Sequence, residues 1–187
     1  SHHTPLHYVF FVPELIALPG PDRLCVPVPF YHCFGMVMAN LGCTSHGACI
    51  VIPAASFDPV ATLEAIQNEK CTGVYGVPTM FIAQLDHADF ATYDLSSLRT
   101  GIMAGSPCPV EVMRRCISEM HLSAVAISYG MTETSPVSTM TRGDDDLERR
   151  TETVGRAMPH VEVKVVDPDT GHVVRRGQAG GPEEQTS

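Results

Sequence analysis

The chain has 187 residues, 44% hydrophobic and 18% charged, which describes one globular domain with a sizeable core. A formal net charge of −9 at pH 7 argues against nucleic acid or an anionic membrane surface as the main partner. No apolar run is long enough for a transmembrane segment, and the first residues lack the pattern of a secretory signal. Seven cysteines, with no CxxC pair and mostly inside apolar runs, read as reduced thiols of a cytoplasmic protein rather than a disulfide framework or a zinc site.

In chain order, RLCVPVP (23–29) predicts a buried strand that ends where prolines take over, and FGMVMANLGC (34–43) has helix-compatible spacing. ACIVIP (48–53) predicts a second strand. Asp58 and Pro59 then supply an N-cap and a first helical residue, with Val60, Leu63 and Ile66 on one face of the helix that follows. GVYGVP (73–78) reads as a strand running into a helical TMFIAQLDH, and LRTGIMAG (98–105) as strand then turn. PVEVMRRCISEM (109–120) places Met113, Cys116, Ile117 and Met120 on one helical face, and AVAIS (124–128) is the next strand.

Strands alternating with helices predict an α/β fold with a mostly parallel sheet and flanking helices over residues 1–140. TRGDDDLERRTE (141–152) reads as a charged surface loop. VEVKVVDPDTGHVV predicts a hairpin turning at Asp-Pro-Asp-Thr-Gly, the start of a small β subdomain over 141–180; the Gly-rich polar tail RRGQAGGPEEQTS (175–187) reads as disordered, ending in an atypical polar segment, 181–187.

Ligands of such sheets gather outside the carboxyl ends of the strands, and three ends here carry chemistry. YGMTET (129–134) offers two hydroxyls and a carboxylate, suited to phosphate oxygens and Mg²⁺; equally, Thr132 and Thr134 could satisfy their own turn and leave Glu133 in solvent. AGSPCP (104–109) either initiates a helix at Ser106 or brings backbone close to a flat ligand at Gly105. PFYHCFG (29–35) places His32 among aromatics, as a rim residue or a site residue. His32 and Cys33 are adjacent, but adjacency in sequence does not orient a base onto a thiol.

YGMTETSP resembles the core signature of the adenylate-forming (AMP-binding) superfamily. PFYHCFG, YGVPTMF, GIMAGSPCP and VGRAMPH match further segments of that family in the same order, in a tone most similar to the medium-chain fatty acyl-CoA synthetases. The opening SHH resembles the segment just downstream of the family's phosphate-gripping loop. The resemblance implies the central part of the N-terminal domain of an acid–thiol ligase that consumes ATP with Mg²⁺, forms an acyl-adenylate and passes the acyl group to coenzyme A. It implies that Tyr129, Gly130 and Met131, with Gly105, Ser106 and Pro107, hold the nucleotide. Thr132 would hold phosphate, reaching a metal only indirectly, and Glu133 would bind Mg²⁺. His32 would stand at the acyl carboxylate, with Gly76, Val77, Pro78, Thr79 and Gly155 on the acyl side.

A fatty acid, ATP and CoA are thus the implied small-molecule partners, in the cytoplasm or, for the full-length enzyme, an organelle matrix or a membrane periphery. An aryl or amino acid substrate, and a non-catalytic α/β nucleotide-binding or interaction module, are the rival readings. The family's Ser/Thr/Gly-rich loop ending in Lys has no counterpart. The two lysines, Lys70 and Lys164, lie outside any Gly-rich loop, and the ribose-binding Asp and the C-terminal catalytic Lys are also missing. The expectation is a partial chain without ligase activity of its own, and poorly soluble because its sheet is cut from its neighbours.

Overall fold

The computed structural model describes residues 3–18 and 20–186, and side chains for 9–18 and 20–181. Residues 1 and 2 of the SHH segment lie outside the described residues. Helix α1 (His3–Leu15) leads into β1 (Arg23–Cys25), and a widened helical stretch, Phe34–Leu41, continues into α2 (Gly42–His46). Then follow β2 (Cys49–Val51), α3 (Pro59–Glu69), β3 (Gly73–Gly76), α4 (Pro78–Leu85), β4 (Thr100–Ala104), α5 (Val110–Glu119) and β5 (Ala124–Tyr129). The five strands form a parallel sheet in the order β2-β1-β3-β4-β5, as the alternating pattern predicts.

Why the strands read as near-continuous apolar runs is plain from their packing, because both faces of the sheet are covered. Successive side chains point to opposite faces. Leu24, Val26, Tyr75, Ile102, Ala104 and Ala126 enter one core with Val12 and Ile16 from the first helical segment and with Phe34 and Met38. Cys25, Val74, Met103, Val125 and Ile127 enter the other, against Leu63 and Ile66 of α3, Phe81 and Leu85 of α4, and Met113 and Cys116 of α5. The expected N-cap of α3 forms: the Asp58 carboxylate accepts the Ala61 N–H at 2.7 Å, with Pro59 in the first helical position.

Three features depart from expectation. Two short strands carry the sheet past residue 140, to seven strands: β6 (Thr139–Met140) adds antiparallel to β5, and β7 (Arg156–Ala157) adds antiparallel to β6. The stretch 141–152 is not a bare surface loop. It holds α6 (Leu147–Glu152), capped by the Asp146 carboxylate accepting from Arg149 N–H at 2.8 Å, and it buries Asp145, Arg150 and Thr151. Its charges had concealed this burial, since Asp145 is enclosed by its own partners: the Arg142 N–H at 2.7 Å and the guanidiniums of Arg149 and Arg156.

The polar tail is also ordered in backbone. β8 (Val161–Val166) pairs antiparallel with β9 (Gly181–Thr186) over six residue pairs. The predicted turn does form, with the Asp167 carboxylate accepting the Asp169 and Thr170 N–H groups at 2.9 Å each. Its return leg reaches β8 only at Val173 and Val174, and backbone pairing supplied by the tail does the rest.

Candidate nucleotide and acid site

The carboxyl ends of β3, β4 and β5 lie side by side, with Gly76 in register with Met103 and Ala104 with Ser128. The loop after β1 reaches the same edge. There the Pro29 carbonyl accepts the His32 N–H at 3.2 Å, and the His32 carbonyl accepts the Met36 N–H at 2.9 Å, fixing His32 at the start of the helical stretch. The three strand ends that carry chemistry therefore converge, which spacing alone could not establish.

Two cavities open at this edge. The larger, about 490 Å³, is lined by Gly105, Ser106, Pro107 and Cys108 on one side and Tyr129 and Gly130 on another. Thr151, Glu152, Thr153 and Val154, at and just after the end of α6, close it. The smaller, about 300 Å³, has His32, Cys33, Thr132 and Glu133 as its polar lining and Phe34, Met38, Ala104 and Pro136 as its apolar lining, with Met131 at the rim. Gly105, Ser128 and Gly130 border both cavities. Gly105 has φ +89°, which a side chain would strain, and an added Cβ would stand 3.1 Å from the Val77 methyl group.

The loop between β5 and β6 separates its hydroxyls by role. Ser138 N–H donates to the Tyr129 carbonyl at 2.8 Å, so the chain doubles back and presents residues 130–137 at the cavity mouth. The Thr134 hydroxyl accepts the Met131 N–H at 3.2 Å and donates to the Met131 carbonyl at 3.0 Å, serving its own turn. Thr132 does not: its hydroxyl meets the Cys33 sulfur at 3.4 Å. Glu133 is exposed to the cavity and forms no ion pair among the described residues. The turn reading is right for Thr134 and leaves Thr132 and Glu133 available.

Around His32 the hydrogen bonds fix a tautomer. Phe34 N–H donates to His32 Nδ1 at 3.1 Å, so this nitrogen carries the lone pair and the Cys33 thiol, 3.7 Å away, faces it as donor. The second cysteine at the edge is different: burial pushes the Cys108 thiol up to about 11.

Not every predicted site residue reaches a cavity. Gly76, Val77, Pro78 and Thr79 line neither one. Gly76 makes room for the Phe81 ring, 2.9 Å from where a Cβ would stand, and Val77 touches the site only behind Gly105. Gly155, with φ +80°, lies against the backbone of Met140, where a Cβ would come within 2.1 Å, and its absence of a side chain serves β6–β7 packing. Conversely, the segment 151–154 lines the larger cavity with no sequence signal for it, and Cys33, Phe34 and Met38, from the stretch around His32, line the smaller one. Phe34 and Met38 follow His32 in an apolar stretch and were legible as candidates, whereas 151–154 sits in a charged segment that carried no such signal.

A family model described as AMP-binding enzyme matches residues 1–181. The chain belongs to the AMP-binding enzyme family. It is 53% identical over 180 residues to YngI of Bacillus subtilis (strain 168), whose name assigns it provisionally to the acyl-CoA synthetases, covering 96% of this chain and 33% of that protein. It is 45% identical over 182 residues to the mitochondrial medium-chain acyl-CoA ligase ACSF2 of Danio rerio, covering 96% of this chain and 30% of the relative. The chain thus spans about a third of the length of the curated relatives it matches.

Among solved structures, the anthranilate CoA ligase AuaEII in complex with anthranoyl-AMP superposes with a TM-score of 0.87 at 25% identity, over 98% of this chain and 35% of that one. ATP-bound MatB from Rhodopseudomonas palustris gives 0.84 at 27% identity, over 100% and 36%. The AMP-binding fold, with its mostly parallel sheet and flanking helices, is the fold of this chain. No helix among the described residues is long and apolar enough to cross a membrane.

Proposed function

We propose that this AMP-binding chain carries the nucleotide- and acid-handling face of an ATP-dependent acid–thiol ligase acting on an aliphatic carboxylic acid. The observation that carries the reading is the division of labour in YGMTET: Thr134 holds the turn, while the Thr132 hydroxyl and the Glu133 carboxylate are left facing His32 across one cavity. In this reading the larger cavity takes adenine between Tyr129 and the Gly105–Pro107 segment. The smaller takes the acid, its carboxylate at His32 and its chain along Phe34 and Met38.

A carboxylate is already ionised near neutral pH, so the first step needs no strong general base. Its oxygen attacks the α-phosphorus of ATP, the bond to the β-phosphate breaks, and pyrophosphate leaves. The sulfur of coenzyme A then attacks the acyl carbon, AMP departs and the thiol proton is lost. Thr132 donates to a phosphate oxygen on which charge accumulates, and His32 orients the acid.

The donor set fits Mg²⁺: Glu133 would hold it, offering at the cavity a carboxylate that forms no ion pair among the described residues, the oxygen ligand that this ion favours. When bound, the ion would neutralise charge on the phosphates.

The relative named as a medium-chain ligase supports an aliphatic acid, as do Phe34 and Met38. The structural likeness to an anthranilate CoA ligase supports an aryl acid instead. Calorimetric titration of the chain with Mg-ATP tests nucleotide binding. Pyrophosphate release and thioester formation by the full-length protein, across fatty acids of increasing length and benzoate-class acids, test the chemistry. A maximum among C6–C12 acids is expected; a benzoate-class maximum gives the aryl reading, and nucleotide binding without turnover of any acid gives the non-catalytic one.

A further inference from the structure

The apolar wall of the smaller cavity is two rings deep at Phe34. Phe34 lines the cavity, and the ring of Tyr75 stacks on it from behind, with centroids 5.4 Å apart and planes 26° from parallel. Tyr75 comes from β3, does not line the cavity itself, and is the largest fully buried side chain among the described residues.

Its neighbours across the sheet are smaller. Tyr75 is in register with Ile102 of β4, and Ile102 with Ala126 of β5. All three belong to the core that Phe34, Met38 and Ala39 enter from the widened helical stretch. The one aromatic side chain of this row therefore stands against Phe34 and leaves its ring no room to sink into the core. The Tyr75 hydroxyl is buried and has no hydrogen-bond partner among the described residues. A buried hydroxyl without a partner weakens a fold, so what Tyr75 gives its neighbours is the volume of its ring.

We infer that Tyr75 is a specificity-determining residue, a prop that acts through Phe34 to limit the length of the aliphatic acid. The inference rests on the acid reading of the smaller cavity. With the chain lying along Phe34 and Met38, further methylenes must displace Phe34, and Phe34 can move only into the space that Tyr75 fills. A shorter side chain at position 75 lets Phe34 retreat and lengthens the cavity, while His32, Thr132 and Glu133 stay in place.

The test takes kcat/KM of the full-length protein for octanoate and for tetradecanoate, with calorimetric affinities beside it. The tetradecanoate-to-octanoate ratio is formed within each variant, so that any loss of folded protein cancels. Tyr75→Leu is expected to raise this ratio at least about tenfold, whereas Tyr75→Phe, which keeps the ring and removes only the hydroxyl, holds it within about twofold. Tyr75→Met is read in the same way and covers a leucine variant that fails to fold. An unchanged ratio on shortening Tyr75 overturns the inference, as does a Tyr75→Phe change as large as that of Tyr75→Leu. A wild type that accepts benzoate-class acids and no fatty acid sinks the aliphatic reading instead; the ratio of para-hexylbenzoate to benzoate then decides for Tyr75. A wild type that neither binds nor turns over any acid overturns the acid reading, and this inference with it.

Discussion

Thr132 and Thr134 are the same residue type two positions apart, yet one is spent on the backbone and the other faces the cavity. This distinction was not available from the string YGMTET, because either hydroxyl could have closed the turn. On the proposed reading, the functional weight of the loop rests on Thr132 and Glu133. Glu133→Gln removes the charge while keeping the shape, so it is expected to lower the rate of pyrophosphate release by about 10²- to 10³-fold in the full-length protein, with unchanged thermal stability.

Asp145 calls for the opposite pattern, a large effect on stability. Burial pushes its carboxyl up, but the Arg142 N–H and the Arg156 and Arg149 guanidiniums outweigh burial and hold it below the ordinary carboxylate range. A depressed folded value means that the contribution is complete above the unfolded value of about 3.9 and is lost as pH falls through the lower folded one. Asp145→Asn is expected to cost about 2 kcal/mol at pH 7 in urea denaturation. The wild type should lose more stability than the variant between pH 5 and pH 2, and equal losses would show that the carboxylate is not held by its partners.

At the scale of elements, sequence and structure agree wherever a single physical cause dominates. α3 begins where Asp58 and Pro59 say it should; α5 buries Met113 and Cys116, with Ile117 half-buried and Met120 buried just past its end, as the spacing requires. Asp58→Ala should therefore cost about 1 kcal/mol through the lost cap. Met113→Ala should cost about 2–5 kcal/mol through the cavity left in the core. Urea midpoints of the two variants check the order; a cap worth more than the core methionine would contradict it.

Agreement fails where structure comes from partners distant in sequence. α6 is six residues long and charged, too short to declare itself by periodicity, and it is held by its cap and by packing against α5 and β5. β6 and β7 have two residues each; β6 forms on the edge that β5 offers, and β7 on the edge of β6. β9 has neither β-branched nor aromatic content beyond Thr186, so nothing in its composition announces its pairing with β8. The site inherits this division: the strand-end loops were legible, and the wall supplied by residues 151–154 was not.

On the scale of the molecule, the sheet ends at β2, whose outer edge pairs with no strand among the described residues, and Ile52 just beyond it is 58% exposed. An unpaired parallel edge bordered by exposed apolar side chains invites association with another chain. Sedimentation velocity of the 187-residue chain is expected to show concentration-dependent self-association that Ile52→Lys reduces without changing the urea midpoint. A monomer at all concentrations would contradict this.

The strip of backbone at Gly105 and Gly130, common to both cavities, has a consequence for how such a cleft can change over time. Gly105 has φ +89° and at Gly130 a Cβ would stand 2.0 Å from the Pro136 carbonyl oxygen, so neither position of the partition accepts a side chain without strain. The outer walls belong to different parts of the chain: Phe34 and Met38 on one side, Thr151 to Val154 on the other. On the proposed reading, variation after the first strand would reshape what acid is admitted while the nucleotide chamber stays as it is. Drift around α6 would leave the acid undisturbed. One doorway thus lets the two rooms be refurnished separately.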